Sequence, residues 1–221
     1  MTPDGKTLDR RAFILKHTRL QAPPHAPEIQ LHLASEVEPI WRETEAALAR
    51  TGLDPPFWAF AWAGGQALAR YLLDHPAEVA GKHVLDFATG SGLVGIAAMK
   101  SGAATVLGSD VDQFCAAAVA LNTEANGVRM AFTGEDLLSH DPPEVDTITA
   151  GDICYQWPLA DQVRHWLQSA HRRGIRVLIG DPGRAYLPRE GLRLLVRYEI
   201  ETTRELEDRD IRSTGVFVFD D

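Results

Sequence analysis

The sequence predicts an α/β fold built on a doubly wound, mostly parallel sheet that ends in an antiparallel C-terminal strand pair. Three observations lead to this prediction. From Gly81 onwards short apolar runs alternate with helical segments, as in a parallel sheet covered by helices on both faces. A glycine-rich turn follows the first apolar run. The last two apolar runs, 194–202 and 214–219, follow each other without a helix between them.

The N-terminal part of the chain lacks this rhythm. We expect residues 1–55 to form an extension with a short strand and a helix, and residues 56–221 to form the main domain. The residues before Pro23 are polar and mixed, which predicts a loose lead-in. Alternation at 29–33 predicts the strand, and the periodicity of 36–50 predicts the helix.

Each element predicted in the main domain has its own local signal. Residues 57–62 are an aromatic run, and the Gly-Gly pair after it opens a helix that reaches residue 73. Asp112 is the expected N-cap of a helix that ends at Gly127. Apolar runs predict further strands at 83–87, 105–109, 129–133, 145–150 and 175–180, and periodicity predicts helices at 93–100 and 159–172.

Composition narrows the classes of function. The 221 residues are enough for one sizeable domain with a short extension. Lys and Arg number 22 against 31 Asp and Glu, a net charge of −9, which argues against nucleic-acid binding because phosphates need clustered cations. An acidic surface suits a basic partner.

The chain shows no sign of a metal or a membrane. Its two cysteines, Cys115 and Cys154, form no CxxC pair and have no histidine at metal-ligand spacing, so we expect no metal site. No apolar run approaches the ~18 residues of a membrane span, and the apolar run at 12–15 is too short for a signal peptide. These observations predict a cytoplasmic protein.

The glycine turn contains a nucleotide-binding motif. Gly90, Gly92 and Gly95 match GxGxxG, in which glycines let the main chain turn sharply and approach a ligand. Asp86 precedes the turn, where a dinucleotide would place its pyrophosphate. A carboxylate there repels phosphate and attracts the ammonium and sulfonium of S-adenosylmethionine. Asp86 could instead cap the loop.

Two further acids follow the next two strands. Asp110 suits a bidentate hydrogen bond to ribose hydroxyls, which fits NAD as well as S-adenosylmethionine. Asp136 is a candidate for the adenine amino group, although a solvated loop acid fits the same pattern. Because ligands of open α/β sheets bind at the carboxyl ends of the strands, the three acids together favour S-adenosylmethionine.

The fourth strand leads into a segment suited to an amine acceptor. It lacks the Asn-Pro-Pro-Tyr that holds a planar nitrogen, and has Asp152 followed by Tyr155. Asp152 can orient an ammonium group, and Tyr155 can offer a ring face or a hydroxyl. The alternatives are a helix cap for Asp152 and simple packing for Tyr155.

Four segments in one order, 57–73, 86–95, 151–155 and 177–184, resemble the lysine methyltransferases that act on the β subunit of electron transfer flavoprotein. The resemblance spans about residues 55 to 185. It implies the class I methyltransferase fold, S-adenosylmethionine as cofactor and the flavoprotein β subunit as protein partner. It departs from the family at Ala88, where many methyltransferases have glycine, and at Gln156, where an acid is expected.

The resemblance also implies roles for individual residues. Asp152 and Tyr155 would line the lysine channel as catalytic residues. Independently of the resemblance, three alternatives stay open for Asp181 and Arg184: they order the acceptor loop, contact the partner or form an internal salt bridge. The implied cofactor contacts are Trp62, Asp86, Ala88, Gly90, Gly92, Asp110, Val111, Asp136 and Gly151. Open alternatives are a small amine or another macromolecule such as a ribosomal protein as acceptor, a silent binding module and an NAD-dependent oxidoreductase.

Overall fold

The N-terminal extension forms a helix and a hairpin in this computed structural model, which describes residues 9–34, 40, 55–202 and 210–220. Helix α1 spans Arg10–His17, and strands β1 (Arg19–Gln21) and β2 (Leu31–Leu33) pair in antiparallel fashion. Apart from Ile40, the helix predicted at 36–50 lies outside the described residues. The boundary between residues 55 and 56 remains a prediction.

Helix α1 corrects the expected loose lead-in. The Asp9 side chain accepts a hydrogen bond from the Ala12 N–H and so caps the helix. Ile14 is fully buried, and the Phe13 ring meets the Phe114 ring edge-on at 5.3 Å between centroids. The polar residues of α1 concealed this helix, because most of its surface faces solvent and only a narrow stripe is buried.

A seven-stranded sheet forms the centre of the main domain. Its order is β5-β4-β3-β6-β7-β9-β8, with β3 to β7 parallel and β9 antiparallel to both β7 and β8. This confirms the predicted fold class. The strands are β3 (His83–Phe87), β4 (Thr105–Ser109), β5 (Ala131–Thr133), β6 (Thr147–Gly151), β7 (Arg176–Asp181), β8 (Leu192–Glu201) and β9 (Ile211–Phe219).

Four helices in the described part of the main domain cover the two faces of the sheet. They are α2 (Ala63–Asp74), α3 (Leu93–Lys100), α4 (Gln113–Asn126) and α5 (Leu159–Arg172). Alternate strand residues divide between two apolar cores: Val84 packs with α2 and α3, whereas Leu85 packs with α5. Helix α4 has the predicted ends, since Asp112 accepts from the Phe114 N–H and Gly127 is left-handed.

The sheet topology places the ends of β3, β4 and β6 together. Strand β3 is flanked by β4 on one side and β6 on the other, so the strand order reverses beside it. Ligands of open α/β sheets bind at such a reversal, outside the carboxyl ends of the strands. The predicted site residues follow these strands.

The last two strands are longer than predicted. Strand β8 begins at Leu192 and β9 at Ile211, and the two stay paired from Leu192 with Phe219 to Glu201 with Ile211. The added residues are exposed or half-buried and several are polar or charged, so their apolar signal in the sequence is weak. Cross-strand hydrogen bonds extend the pair beyond its apolar stretch.

The extension docks on α4 through two asparagines. Asn122 accepts a hydrogen bond from the His32 N–H at 2.7 Å and donates to the Ser91 carbonyl at 2.7 Å. Asn126 accepts from the Gln30 N–H at 3.0 Å and donates to its carbonyl at 2.6 Å. The hairpin and the glycine-rich turn therefore share one fully buried side chain, Asn122.

Within the described ranges no helix combines the length and the apolar character needed to cross a membrane. The same ranges contain no cluster of three or more His, Cys, Asp or Glu side chains that could hold a metal ion. Cys115 and Cys154 are buried free thiols.

Candidate active site

The turn after β3 is the first half of the site. Within this glycine turn (residues 88–92), Gly90 has a φ of 51° and Gly92 a φ of 84°, values that glycine tolerates best. Ala88 also lies in the left-handed region, with a φ of 53°. The position where many methyltransferases have glycine therefore keeps a glycine-like backbone here, at some cost in strain.

The Asp86 carboxylate lies beneath the glycine turn. It is buried, and it accepts hydrogen bonds from the hydroxyls of Thr89 (2.5 Å) and Thr149 (3.0 Å) and from the Gly95 N–H (2.9 Å). Burial raises the pKa of Asp86 to about 6, against the effect of these donors. The geometry matches the loop-capping alternative, and direct contact with the cofactor stays a prediction.

The third glycine of the motif has a packing role. A Cβ on Gly95 would lie 2.7 Å from Met130 Cε and 3.2 Å from Asp86 Oδ2. A side chain here would press on the Asp86 carboxylate and displace the end of Met130, because α3 approaches both side chains closely. The motif thus combines two backbone requirements, a left-handed turn at Gly90 and Gly92 and close packing at Gly95.

Asp110 joins the glycine turn from the end of β4. Its carboxylate accepts hydrogen bonds from the N–H groups of Gly90 and Asp112, each at 3.0 Å. Each oxygen retains a second lone pair. Val111 beside it is 63% exposed, an unusual state for valine that leaves an apolar surface next to this carboxylate.

Asp136 follows β5, the edge strand next to β4. It is exposed, and its Oδ1 accepts a hydrogen bond from the Leu138 N–H at 3.1 Å at the start of a short 3₁₀ turn. Because β5, β4 and β3 are adjacent and parallel, the three predicted acids follow the same edge of the sheet. We call this the cofactor side (Asp86, the glycine turn, Asp110, Val111 and Asp136).

The first turn of α2 packs directly on the ends of β6 and β7. A Cβ on Gly64 would collide with the Gly180 carbonyl oxygen and lie 2.6 Å from Asp152 Oδ2. A Cβ on Gly151 would lie 3.0 Å from the Gly65 nitrogen. The structure thus gives Gly151 a packing reason, and its predicted cofactor contact stays a prediction.

Asp152 lies against the N-terminus of α2. Its Oδ2 accepts a hydrogen bond from the Gly65 N–H at 2.9 Å. Its Oδ1 accepts from Arg184 Nε at 3.0 Å and from Nη2 at 2.5 Å. Burial raises the pKa of Asp152, and Arg184 opposes this shift. Asp152 therefore caps α2, and its partner is the arginine 32 residues later in the chain.

Asp181 turns the chain so that Arg184 points back to Asp152. This buried carboxylate accepts hydrogen bonds from the N–H groups of Gly183 and Arg184, both at 2.7 Å. Of the alternatives for these two residues, the structure contains the loop-ordering contact and an internal salt bridge. The salt bridge joins Arg184 to Asp152, a partner that the sequence did not indicate.

The aromatic segment (residues 57–62) connects the two halves of the site. A Cβ on Gly90 would lie 3.9 Å from Trp58 Cα, so the segment starts beside the glycine turn. At its other end, the Trp62 ring lies 5.6 Å from Arg184 Cζ, and the Trp62 indole N–H donates to the Phe57 carbonyl. Trp62 thus lies beside the Asp152–Arg184 pair, and its predicted cofactor contact stays a prediction.

Tyr155 adds an exposed ring to this group. Its ring centroid is 5.6 Å from that of Phe57, which is 5.8 Å from that of Trp62. Tyr155 is 44% exposed and Trp157 is 65% exposed, so both rings are available to a partner. We call this the acceptor side (Phe57, Trp62, Asp152, Tyr155 and Arg184).

A separate open groove of about 540 Å³ lies between the 3₁₀ turn after β5 and α5. None of the predicted site residues lines it. Its walls include His140, Asp161, His165 and Trp166. Three of these side chains are already engaged: the Trp166 indole N–H donates to the His140 carbonyl, and Asp161 pairs with Arg164 and lies within 3.4 Å of His165.

Comparison with known proteins places the chain among methyltransferases. The family model of the ribosomal protein L11 methyltransferase (PrmA) matches residues 66–164. The structure of ribosomal protein L11 methylase from Lactobacillus delbrueckii subsp. bulgaricus has a TM-score of 0.52 at 24% identity and covers 76% of this chain and 81% of its own. The structure of magnesium protoporphyrin IX methyltransferase from Synechocystis PCC 6803 with bound SAM has a TM-score of 0.51 at 19% identity. The match covers 71% of this chain and 78% of that protein. Both share the fold.

A full-length relative identifies the family. The electron transfer flavoprotein beta subunit lysine methyltransferase of Xenopus laevis is 37% identical over 216 residues, which cover 95% of this chain and 87% of that protein. The match includes the extension as well as both sides of the site. The chain therefore belongs to the family of electron transfer flavoprotein beta subunit lysine methyltransferases.

Proposed function

We propose that this protein transfers the methyl group of S-adenosylmethionine to a lysine of the electron transfer flavoprotein β subunit. The observation that carries the proposal is the 37% identity with the Xenopus laevis enzyme over 95% of the chain. The geometry of the two sides of the site supports it. The predicted exclusion of nucleic acid and membrane partners and the cytoplasmic location are part of the same proposal.

The cofactor side fits an adenosine ligand that carries a cationic group. The left-handed turn leaves Ala88 exposed and Gly90 half-buried beside the carboxyl ends of β3 and β4. Asp110 is held by two N–H groups with lone pairs left for two ribose hydroxyls, and Val111 offers an apolar surface beside it. Bound there, S-adenosylmethionine supplies an electrophilic methyl group on a sulfonium.

The acceptor side fits a long chain with an amine at its tip. Tyr155, Phe57 and Trp62 form a chain of ring contacts that ends at the Asp152–Arg184 pair. Aromatic walls suit the methylene stem of lysine, and desolvation lowers the pKa of its amine. The exposed rings of Tyr155 and Trp157 extend this surface outward, which favours a protein substrate over a small amine.

The transfer is a direct displacement. The neutral lysine nitrogen takes the methyl carbon, the carbon–sulfur bond breaks with its electron pair left on sulfur, and the methylated ammonium then releases a proton to solvent. Asp152 positions the amine by accepting a hydrogen bond. Holding the two reactants in line can contribute about 7–11 kcal/mol to catalysis.

The proposal is tested by incubating the protein with tritiated S-adenosylmethionine and electron transfer flavoprotein from the same organism. We expect label on the β subunit, with mass spectrometry locating it on lysine. Asp110→Asn removes one charge-assisted contact and should raise KM for the cofactor about 10–100-fold. Asp161→Asn, which changes an exposed acid on α5, is the matched control and should leave KM unchanged.

A parallel incubation with cell extract gives the contradicting outcome. If components of the extract are labelled but the β subunit is not, the proposal is wrong. Label on RNA or on small amines alone would keep the cofactor and overturn the acceptor. Absence of both transfer and cofactor binding would favour a silent binding module.

Ribosomal protein L11 is the second candidate substrate. The PrmA family model matches residues 66–164, a range that includes the glycine turn, Asp152 and Tyr155. That match leaves out Arg184 and the extension, both of which the flavoprotein relative covers. Equal amounts of L11 and flavoprotein in one reaction decide between them. Preferential label on L11 would favour the second candidate.

A further inference from the structure

The Asp152–Arg184 ion pair is the most closely enclosed charge pair of the acceptor side. The side chains are 11% and 17% exposed. Every carboxylate oxygen already has an N–H donor, since Arg184 serves Oδ1 and the Gly65 N–H serves Oδ2. Asp152 therefore has a fixed orientation before any substrate arrives.

Arg184 is itself held at both ends. Its backbone N–H donates to Asp181, and its guanidinium lies 5.6 Å from the centre of the Trp62 ring. The cation therefore lies between the Asp152 carboxylate, which is expected to line the lysine channel, and the Trp62 ring, for which a cofactor contact is predicted. Because the Arg184 guanidinium is fixed there, it offsets the negative charge of Asp152 at the point where the lysine amine is expected to bind.

The charge at this point determines whether lysine can react. In the part of the chain that the structure describes, the ionisable groups acting on Asp152 are Asp181 at the end of β7, Arg184 after it and Cys154 on the loop of Asp152 itself. Helix α2 contributes the Gly65 N–H. Burial raises the pKa of the Cys154 thiol to about 12, so it is neutral. Without Arg184, two carboxylates would remain, and nearby negative charge stabilises the unreactive ammonium form of lysine.

We propose that Arg184 is a positioning residue for the methyl acceptor: its guanidinium fixes the Asp152 carboxylate and compensates its charge, so that the site receives lysine as a neutral amine. This inference rests on the proposed function. It gives the Gly-Asp-Pro-Gly-Arg run after β7 a purpose that the binding of the cofactor does not require. Asp181 then supports the reaction only by directing Arg184.

The first test is the pH profile of kcat/KM for the wild type, Arg184→Gln and Arg184→Lys. In Arg184→Gln the acidic limb should move up by about one pH unit, with a rate loss of about tenfold at pH 7 that shrinks at alkaline pH. Arg184→Lys restores the charge and should bring the limb back towards that of the wild type. A loss by one constant factor at all pH values would overturn the proposal.

Arg176→Gln is the matched control. Arg176 pairs with Glu78 through two hydrogen bonds, with side chains 35% and 20% exposed, and it lies at the other end of β7. Its loss should lower stability without moving the pH profile. A profile shift in Arg176→Gln equal to that in Arg184→Gln would show a general effect of lost ion pairs and overturn the specific role.

The second test needs no methyl transfer. In Arg184→Gln the largely enclosed Asp152 carboxyl keeps a raised pKa without its cation, so the stability it contributes is lost as pH rises through that pKa. The deficit in Tm relative to the wild type should therefore grow from pH 5 to pH 8. In the double variant Arg184→Gln/Asp152→Asn this growth should vanish. A deficit that does not change with pH would overturn the proposal.

The two tests separate this inference from the proposed function. A wild type that methylates neither the flavoprotein nor L11 would refute the proposed function, while the thermal series still decides whether Arg184 compensates Asp152. A wild type that methylates the flavoprotein, with an unshifted profile in Arg184→Gln, would refute the role of Arg184 alone.

Discussion

Two aspartates at the ends of β3 and β6, the buried Asp86 and the largely enclosed Asp152, are held in opposite ways. Strands β3 and β6 are adjacent and parallel, with Phe87 opposite Ala150; Asp86 lies near the end of β3, and Asp152 directly follows β6. Asp86 accepts only from hydroxyls and an amide N–H, whereas Asp152 accepts from an amide N–H and a guanidinium. The first carboxylate has neutral partners and the second has a cation.

This difference separates a structural task from an electrostatic one. The partners of Asp86 lie within nine residues of it or on the neighbouring strand β6, so its carboxylate ties the glycine turn to the sheet. Asp152 depends on a residue from a different loop, which brings a charge to the acceptor side. Asp86 therefore serves mainly to hold the backbone of the glycine turn in place. The Asp152–Arg184 pair both fixes side chains and sets the local charge of the acceptor side.

The largest loss of stability is expected from a substitution that disrupts the packing of the acceptor side. In Gly64→Ala the new methyl group would collide with the Gly180 carbonyl and press on Asp152 Oδ2, so α2 must move off the strand ends. We expect a loss of about 3 kcal/mol in the free energy of unfolding, measured by urea denaturation.

Gly65→Ala is the control on the same helix. Its new methyl group meets nothing closer than Leu93 Cδ2 at 3.8 Å, and alanine favours the helix, so stability should be unchanged or slightly higher. Equal losses in the two variants would contradict the packing argument.

A smaller effect is expected on the cofactor side from Thr149→Val. The variant removes the hydroxyl that donates to Asp86 Oδ1 at 3.0 Å, and should cost about 1–3 kcal/mol of unfolding free energy. Thr147→Val on the same strand loses only a contact of 3.4 Å to the Glu78 carbonyl and should cost less. A greater loss in Thr147→Val would contradict the assignment.

Thr149→Val also tests how the neutral hydrogen-bond donors around Asp86 affect its pKa. The pKa of Asp86 is raised to about 6, so the stability it contributes is fully present below about pH 4 and is lost as pH rises through about 6. In Thr149→Val the loss of a donor that lowers this pKa should move that window upward. NMR titration of the carboxyl carbon measures both values, and an Asp86 pKa below its usual range would contradict the account.

The smallest effect concerns the backbone of the glycine turn. Ala88→Gly relieves a left-handed alanine and should raise the free energy of unfolding by about 0.5–1 kcal/mol. Ala116→Gly, at an exposed position inside α4, should lower it by about 1 kcal/mol. Thermal unfolding of both variants checks the opposite signs, and a shared sign would refute the strain at Ala88.

The sequence predicted the elements whose signals are local. The strand and helix alternation, the Asp112 cap and the glycine at 127 depend on neighbouring residues, and the structure confirms them. The sequence also predicted that Asp86, Gly90 and Asp110 come together, because they lie at or just after the ends of two consecutive parallel strands. Their contacts with the cofactor stay predictions. Helix α1 was missed because its buried stripe is narrow and depends on Phe114, about a hundred residues away in the chain.

The acceptor side was harder to predict because its contacts are not local. Asp152 and Arg184 were both singled out, yet their pairing depends on β6 and β7 being neighbours and on the turn that Asp181 directs. The Thr149 hydroxyl under Asp86 was equally invisible, since a buried threonine in a strand usually indicates only β propensity. Register decides both contacts, and periodicity in one segment carries no information about register.

The asparagine pair that docks the extension has a consequence for sequence variation. Asn122 and Asn126 bind the main chain of residues 30 and 32, and those backbone groups are the same whatever side chains the two residues carry. Substitutions at Gln30 and His32 should therefore be tolerated, while the amides on α4 should not. The side chains that attach the hairpin thus belong to α4, and the side chains at positions 30 and 32 of the hairpin can vary without loss of these hydrogen bonds.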